Sequence, residues 1–117
     1  MHKHTISFKN AASGIWTALN SQVNIRIHII IGSLVLLASV YLQLSLDHIL
    51  DLLLVIALVI TTELINTAIE AACDAITLDH HPQIKVAKDV AAGAVLFVSV
   101  FAVLVGMIIF IPKLLAL

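Results

Sequence analysis

The alternation of apolar and polar residues changes character once along this chain. From Ile6 to Gln22, Phe8, Ala12, Ile15, Trp16 and Leu19 recur at helical spacing and fall within about 80° of arc, opposite Lys9, Asn10, Ser13, Thr17, Asn20 and Ser21. This spacing predicts an amphipathic helix over about 6–22. Its polar face and Trp16 suit the membrane interface, although packing wholly against other protein satisfies the same pattern. Beyond it the polar face disappears. Three apolar stretches at about 25–44, 49–72 and 90–110 are each long enough, at about 1.5 Å per residue, to cross a hydrocarbon core of about 30 Å. Arg26 and His28 fall at the start of the first, at headgroup level, where His28 reads as an interfacial residue and not a catalyst. Gln43 to Asp51 reads as a short turn, and Asp79 to Lys88 as a polar loop in which Pro82 suits the start of a helix. Pro112 is expected to end the last span. The expected fold is all-α and integral to the membrane: one domain over 1–117, with a surface helix and three transmembrane helices.

Composition supports that class, since 62% of the residues are apolar and 11% charged. A net charge of −1, with six Lys and Arg scattered along the chain, offers nothing to nucleic acid. Cys73 is the single cysteine, can form no disulfide within the chain, and reads as a packed thiol beside Ala71 and Ala72. The first 24 residues are interrupted by Lys3, Lys9, Asn10 and Ser13, so no cleavable signal is expected. Lys3, Lys9, Arg26, Lys85 and Lys88 fall on one side of a three-span arrangement and Lys113 alone on the other. The positive-inside rule then puts the N-terminus and the 79–88 loop in the cytoplasm.

Against this background the stretch Glu63-Leu-Ile-Asn-Thr-Ala-Ile-Glu-Ala-Ala-Cys-Asp74 stands out. At about 100° per residue, Glu63, Asn66, Thr67, Glu70 and Asp74 share one helical face. A carboxylate at the centre of a membrane helix costs at least ~2.5–3.5 kcal/mol, so this face must meet protein, a wet cleft or a cation. Span two runs inward, which leaves Asp74 near the cytoplasmic surface and Glu63 roughly 10 Å deeper than Glu70. That layout suits phosphoryl transfer to a lipid: a hard oxygen ligand for Mg²⁺ at the rim, Glu70, and a desolvated base below it, Glu63. Lys88 and Asp89 belong to the same layer, where Lys88 can meet a phosphate and Asp89 a lysine or the metal. No glycine-rich phosphate cradle is present. Ion pairing of the acidic stripe with Lys88 or Arg26 is the purely structural alternative. By composition alone His80 and His81 read as solvated loop residues, and Ala91-Ala92-Gly93-Ala94 as a close-packing surface.

The motif Glu63-x-x-Asn66-Thr-Ala-Ile-Glu70-x-x-x-Asp74, followed by Ala87-Lys88-Asp89 and Gly93-Ala94-Val95, resembles the prokaryotic diacylglycerol kinase family of small trimeric membrane kinases. Phe8-Lys9-Asn10-Ala11, Gly14 and Asn24-Ile-Arg26-Ile-His28 extend the resemblance over nearly the whole chain and are more similar to the undecaprenol kinase branch. The resemblance implies an ATP- and Mg²⁺-dependent lipid-alcohol kinase working as a homotrimer. It implies Glu63 as proton acceptor, Glu70 as metal ligand, and Asn10, Asp79, His80, His81, Lys88 and Asp89 around the nucleotide. Asn66, Asp74 and Ala92 would support the site or face the lipid. Where the family has a second metal-binding glutamate, this chain has Gln22, whose neutral amide offers one oxygen and no charge. The expected substrate is undecaprenol ahead of diacylglycerol. The rival readings are a relative impaired by Gln22 and a small cation-conducting oligomer that uses the same stripe.

Overall fold

The structure, a computed structural model, describes residues 7–117 and contains four helices: α1 (Phe8–Ser21), α2 (Val23–Tyr41), α3 (Leu46–Ile76) and α4 (Pro82–Leu115). Among the described residues there is no strand. Ile6 and Lys3 lie outside the described residues.

Three of the four helices start where the sequence supplies a side-chain cap, and α2 starts after Gln22 without one. Ser7 Oγ accepts from the Asn10 amide and Ser45 Oγ from the His48 amide, while the His81 ring accepts from the Gln83 amide just ahead of Pro82. Because His81 and Pro82 together begin α4, the expected polar loop shrinks to Thr77–His81, and Lys85, Lys88 and Asp89 are helical. Pro112 does not end α4, which continues to Leu115. Only the final turn lies beyond Pro112, so the missing N–H removes one bond near a frayed end, and the Ala116 amide closes back on the Pro112 and Lys113 carbonyls. Between α2 and α3, Gln43 takes a positive φ of 56°, and the Gln43 and Leu44 amides return to the Val40 and Ser39 carbonyls.

The helices α2, α3 and α4 are each long and apolar enough to cross a membrane. With 31 and 34 residues, α3 and α4 are about 46 and 51 Å long, more than a core of about 30 Å requires. The last turns of α3 and the first turns of α4 carry Asp74, Lys85, Lys88 and Asp89, which form a polar platform at that end of the hairpin.

The helix α3 is central: α4 packs along one side of it, α2 along another, and α2 and α4 do not touch. The gap between them is a cleft of about 260 Å³, floored by Leu52, Val55, Ile56 and Val59 of α3 and walled by Gly32 and Val35 of α2 and Ala102 and Val103 of α4. On α1 only Ala18 is buried, and Phe8, Ile15 and Trp16 stay exposed. This chain therefore does not cover the apolar face of α1, and a surface helix seated in the interface suits that face.

Gly32 sets the α2–α3 spacing, because a Cβ placed there would meet Ile56 Cγ2 at 2.8 Å. That methyl is held on a β-branched carbon and cannot swing away freely. Gly32→Ala should cost roughly 1–3 kcal/mol of overpacking despite alanine's better helix propensity, whereas Gly106→Ala, with nothing within 4 Å, should not destabilise the fold. Thermal unfolding of both variants in the same detergent checks this.

Candidate functional site

The acidic face of α3 is graded from buried to wet. Glu63 is buried at 3% exposure, Asn66, Thr67 and Glu70 are half-buried, and Asp74 is exposed. The helix carries them there because residues three, four and seven apart stack on one side of it.

One of these residues, Glu70, meets the elbow between α1 and the first span. Gln22 is the single residue between α1 and α2, and its extended backbone (φ −120°, ψ 110°) breaks the helix sharply. Arg26 fixes that bend by donating from Nη1 to the Leu19 and Asn20 carbonyls at 2.9 and 3.2 Å, satisfying acceptors at the end of α1. The bend delivers Gln22 Nε2 to Glu70 Oε2 at 3.4 Å, and Asn66 Nδ2 reaches Glu70 Oε1 at the same distance. Glu70 thus sits between two neutral amides.

Asp74 and Lys88 join α3 to α4 at the polar platform, with Lys88 Nζ 2.7 Å from Asp74 Oδ1. The ion pairing open as a structural alternative for the stripe is therefore realised at Asp74, but Arg26 is committed to backbone carbonyls and takes no part in it. Asp89 pairs with Lys85 one turn away on the same helix. Neither Lys88 nor Asp89 touches Glu70 in this chain. Asn10 lines a broad opening between α1 and α3 with Thr67, Ala68 and Ala71. His80 and Asp79 are exposed on the short loop, the Asp79 amide bonds to Thr77 Oγ1, and His81 serves as the N-cap of α4. Ala92 is exposed, and its neighbour Ala91 is the buried small residue of that run.

Sequence reasoning missed His28. The ring, read from the sequence as interfacial, lies with Nδ1 3.2 Å from Glu63 Oε1. The angles do not complete a hydrogen bond, so Nδ1 is a buried nitrogen without a partner. The pairing joins two helices 35 positions apart in sequence, and the spacing of neither helix announces it.

Among the described residues no three carboxylate, imidazole or thiol groups gather as a preformed cation site. The donor set around Glu70 nevertheless fits Mg²⁺, which is commonly held by one or two carboxylates together with substrate phosphates. Asn66 Oδ1 is buried without a partner, which marks unsatisfied oxygen beside Glu70. Turning either amide through 180° presents its oxygen where the NH₂ now points.

Gln22→Glu would bring a second carboxylate against Glu70, where the present contact is 3.4 Å. Two such charges repel without a cation and chelate one when it is present. The variant should melt at lower temperature than the parent in chelator, gain more stability from added Mg²⁺, and need less Mg²⁺ for half-maximal turnover. Melting curves and a magnesium titration check these outcomes.

Residues 9–110 match the family described as prokaryotic diacylglycerol kinase. The chain is 40% identical over 108 residues to the undecaprenol kinase of Bacillus subtilis, covering 92% of this chain and 88% of that protein. It is also 40% identical over 113 residues to the diacylglycerol kinase of Synechocystis, covering 96% of this chain and 65% of that longer protein. A match over most of the chain, with relatives at this identity, is what the three apolar helices and the graded acidic face had pointed to: the chain belongs to the prokaryotic diacylglycerol kinase family.

Proposed function

We propose that this protein transfers the γ-phosphate of Mg·ATP to the hydroxyl of a membrane lipid alcohol at the cytoplasmic face of a bacterial inner membrane. The observation that carries this reading is the burial of Glu63 at 3% exposure, about two helical turns below the half-buried Glu70. A carboxylate at that depth is beside the level where a lipid hydroxyl sits, while Glu70 faces the layer that polar phosphates reach. The Glu63 carboxylate stands where a general base for that hydroxyl would have to be.

In this mechanism Glu63 accepts the proton of the lipid hydroxyl as its oxygen attacks the phosphorus. Glu70, with an oxygen from Gln22 and support from Asn66, would hold Mg²⁺, which when bound neutralises charge on the β- and γ-phosphates. Asn10, Asp79, His80, His81, Lys88 and Asp89 are assigned to the nucleotide. The wet platform built from the ends of α3 and α4 supports that assignment. Lys88 would exchange Asp74 for phosphate oxygens, since both partners are partly exposed and water lowers the cost of parting them. Lys9, Arg26, Lys85 and Lys88 at one end of the spans, against Lys113 at the other, support the cytoplasmic orientation.

The favoured substrate is undecaprenol, ahead of diacylglycerol. The relative named undecaprenol kinase supports this, because nearly its whole length corresponds to this chain. Purified protein supplied with each lipid in turn tests the proposal: ATP consumption should depend on the lipid alcohol and be faster with undecaprenol. Consumption indifferent to lipid would favour a cation-conducting or inactive membrane protein.

Glu63 and Glu70 should fail differently. Glu63→Gln is expected to lower kcat by roughly 10²–10⁴-fold with little change in the KM for Mg·ATP, because a base acts in the chemical step. Glu70→Gln should raise that KM as well. Steady-state titrations of Mg·ATP at saturating lipid separate the two.

The working unit is proposed to be a homotrimer with sites shared between chains. Lys88 and Asp89 are turned to partners other than Glu70 within one chain, and the cleft between α2 and α4 is left open. A neighbouring chain closing the site accounts for both features. Mixed oligomers of Glu63→Gln and Lys88→Ala chains should therefore regain activity that neither shows alone. Absence of recovery in oligomers verified to contain both chains would mean that each site lies within one chain.

A further inference from the structure

The contact between His28 and Glu63 bears on a step that the base alone leaves unfinished. A base that has taken the lipid hydroxyl proton must lose it before the next turnover. The Glu63 side chain is only 5% exposed, while that of His28 is 27% exposed. Among the described residues the Glu63 carboxylate has no other polar contact, and the nearby Thr67 hydroxyl is spent on the Glu63 carbonyl at 2.9 Å. From α4, Ser99, Ala102 and Val103 line the cleft that His28 also lines, and they carry no charge. Arg26 is held by the α1 carbonyls, and Glu70 lies about 10 Å along α3. The unpartnered His28 Nδ1 at 3.2 Å is thus the one basic atom in reach of the buried carboxyl.

We propose that His28 is a positioning residue that holds the Glu63 carboxylate in register and carries its proton out of the membrane. The proposal rests on Glu63 being the base. As the lipid O–H bond breaks and the O–Pγ bond forms, the bond from Pγ to the bridging oxygen breaks with its electron pair leaving on ADP, and the proton passes to Glu63. That proton then moves from the Glu63 carboxyl to His28 Nδ1, and the same ring releases a proton from Nε2 to water. Glu63 is then a carboxylate again, and the ring, left protonated on Nδ1, regains its Nε2–H form by proton exchange with water before the next turnover, with one proton released per phosphate transferred. An imidazole suits this task because it can take up a proton on one ring nitrogen and release one from the other.

The test compares His28→Gln, which can still hydrogen-bond to Glu63 but cannot relay a proton, with His28→Ala, alongside Glu63→Gln. Both His28 variants are expected to assemble at the parent's size and to lose about tenfold or more in kcat, with KM for Mg·ATP and lipid within about twofold. Added imidazole should restore turnover several-fold in His28→Ala and not at all in Glu63→Gln. The relay is overturned if His28→Gln turns over within about twofold of the parent, if imidazole leaves His28→Ala unchanged, or if neither His28 variant assembles. Full activity in Glu63→Gln would instead remove the base assignment, whereas an inactive Glu63→Gln beside active His28 variants would sink the relay alone.

Discussion

A carboxylate buried in a membrane helix is the constraint on which the rest of this structure depends. Glu63 is 3% exposed on a helix otherwise apolar enough to lie in lipid, and an uncompensated charge there is costly. The chain answers by bringing α2 across α3 so closely that only glycine fits at position 32, which leaves His28 within reach of the carboxylate one turn nearer the surface. The close crossing and the polar contact support each other. Any side chain that widened the Gly32–Ile56 gap would also draw His28 away from Glu63.

The second constraint is helix length. Because α3 and α4 exceed the thickness of the hydrocarbon core, their last and first turns form a platform in the headgroup layer, tied by Lys88 and Asp74. The single-residue elbow at Gln22 turns α1 against α3 beside Thr67, Ala68 and Ala71, with Arg26 securing the bend. Glu70 receives two amides at the junction of these parts. A polar layer thus lies about one to three helical turns along α3 from a buried carboxylate.

The open cleft between α2 and α4 follows from the same architecture. Here α2 and α4 pack on separate sides of α3 and not on each other, so the chain is not a closed bundle by itself. Leu52 is fully buried on the cleft floor, yet Ser99 Oγ on its wall has no partner. Such a surface asks for a further apolar neighbour, whether lipid chain or another subunit.

Hydrophobic periodicity determined the four helices, because a 14-residue amphipathic segment and three long apolar ones have few ways to meet a bilayer. The one-face grouping of Glu63, Asn66, Glu70 and Asp74 was equally legible, since it depends only on spacing within one helix. Helix ends were less so: α4 does begin at Pro82, as that residue suggested, but the turns through Lys88 read as loop and Pro112 fails to stop the helix, because caps and fraying act over one turn and leave little trace in composition. What only the tertiary structure decided are the contacts between helices. Lys88 chose Asp74, Gln22 chose Glu70, and His28 met Glu63 across 35 positions of sequence. Each depends on the distance and rotation between two packed helices, and these are fixed by local features such as the space at Gly32 and the bend at Gln22, which no single-helix pattern encodes.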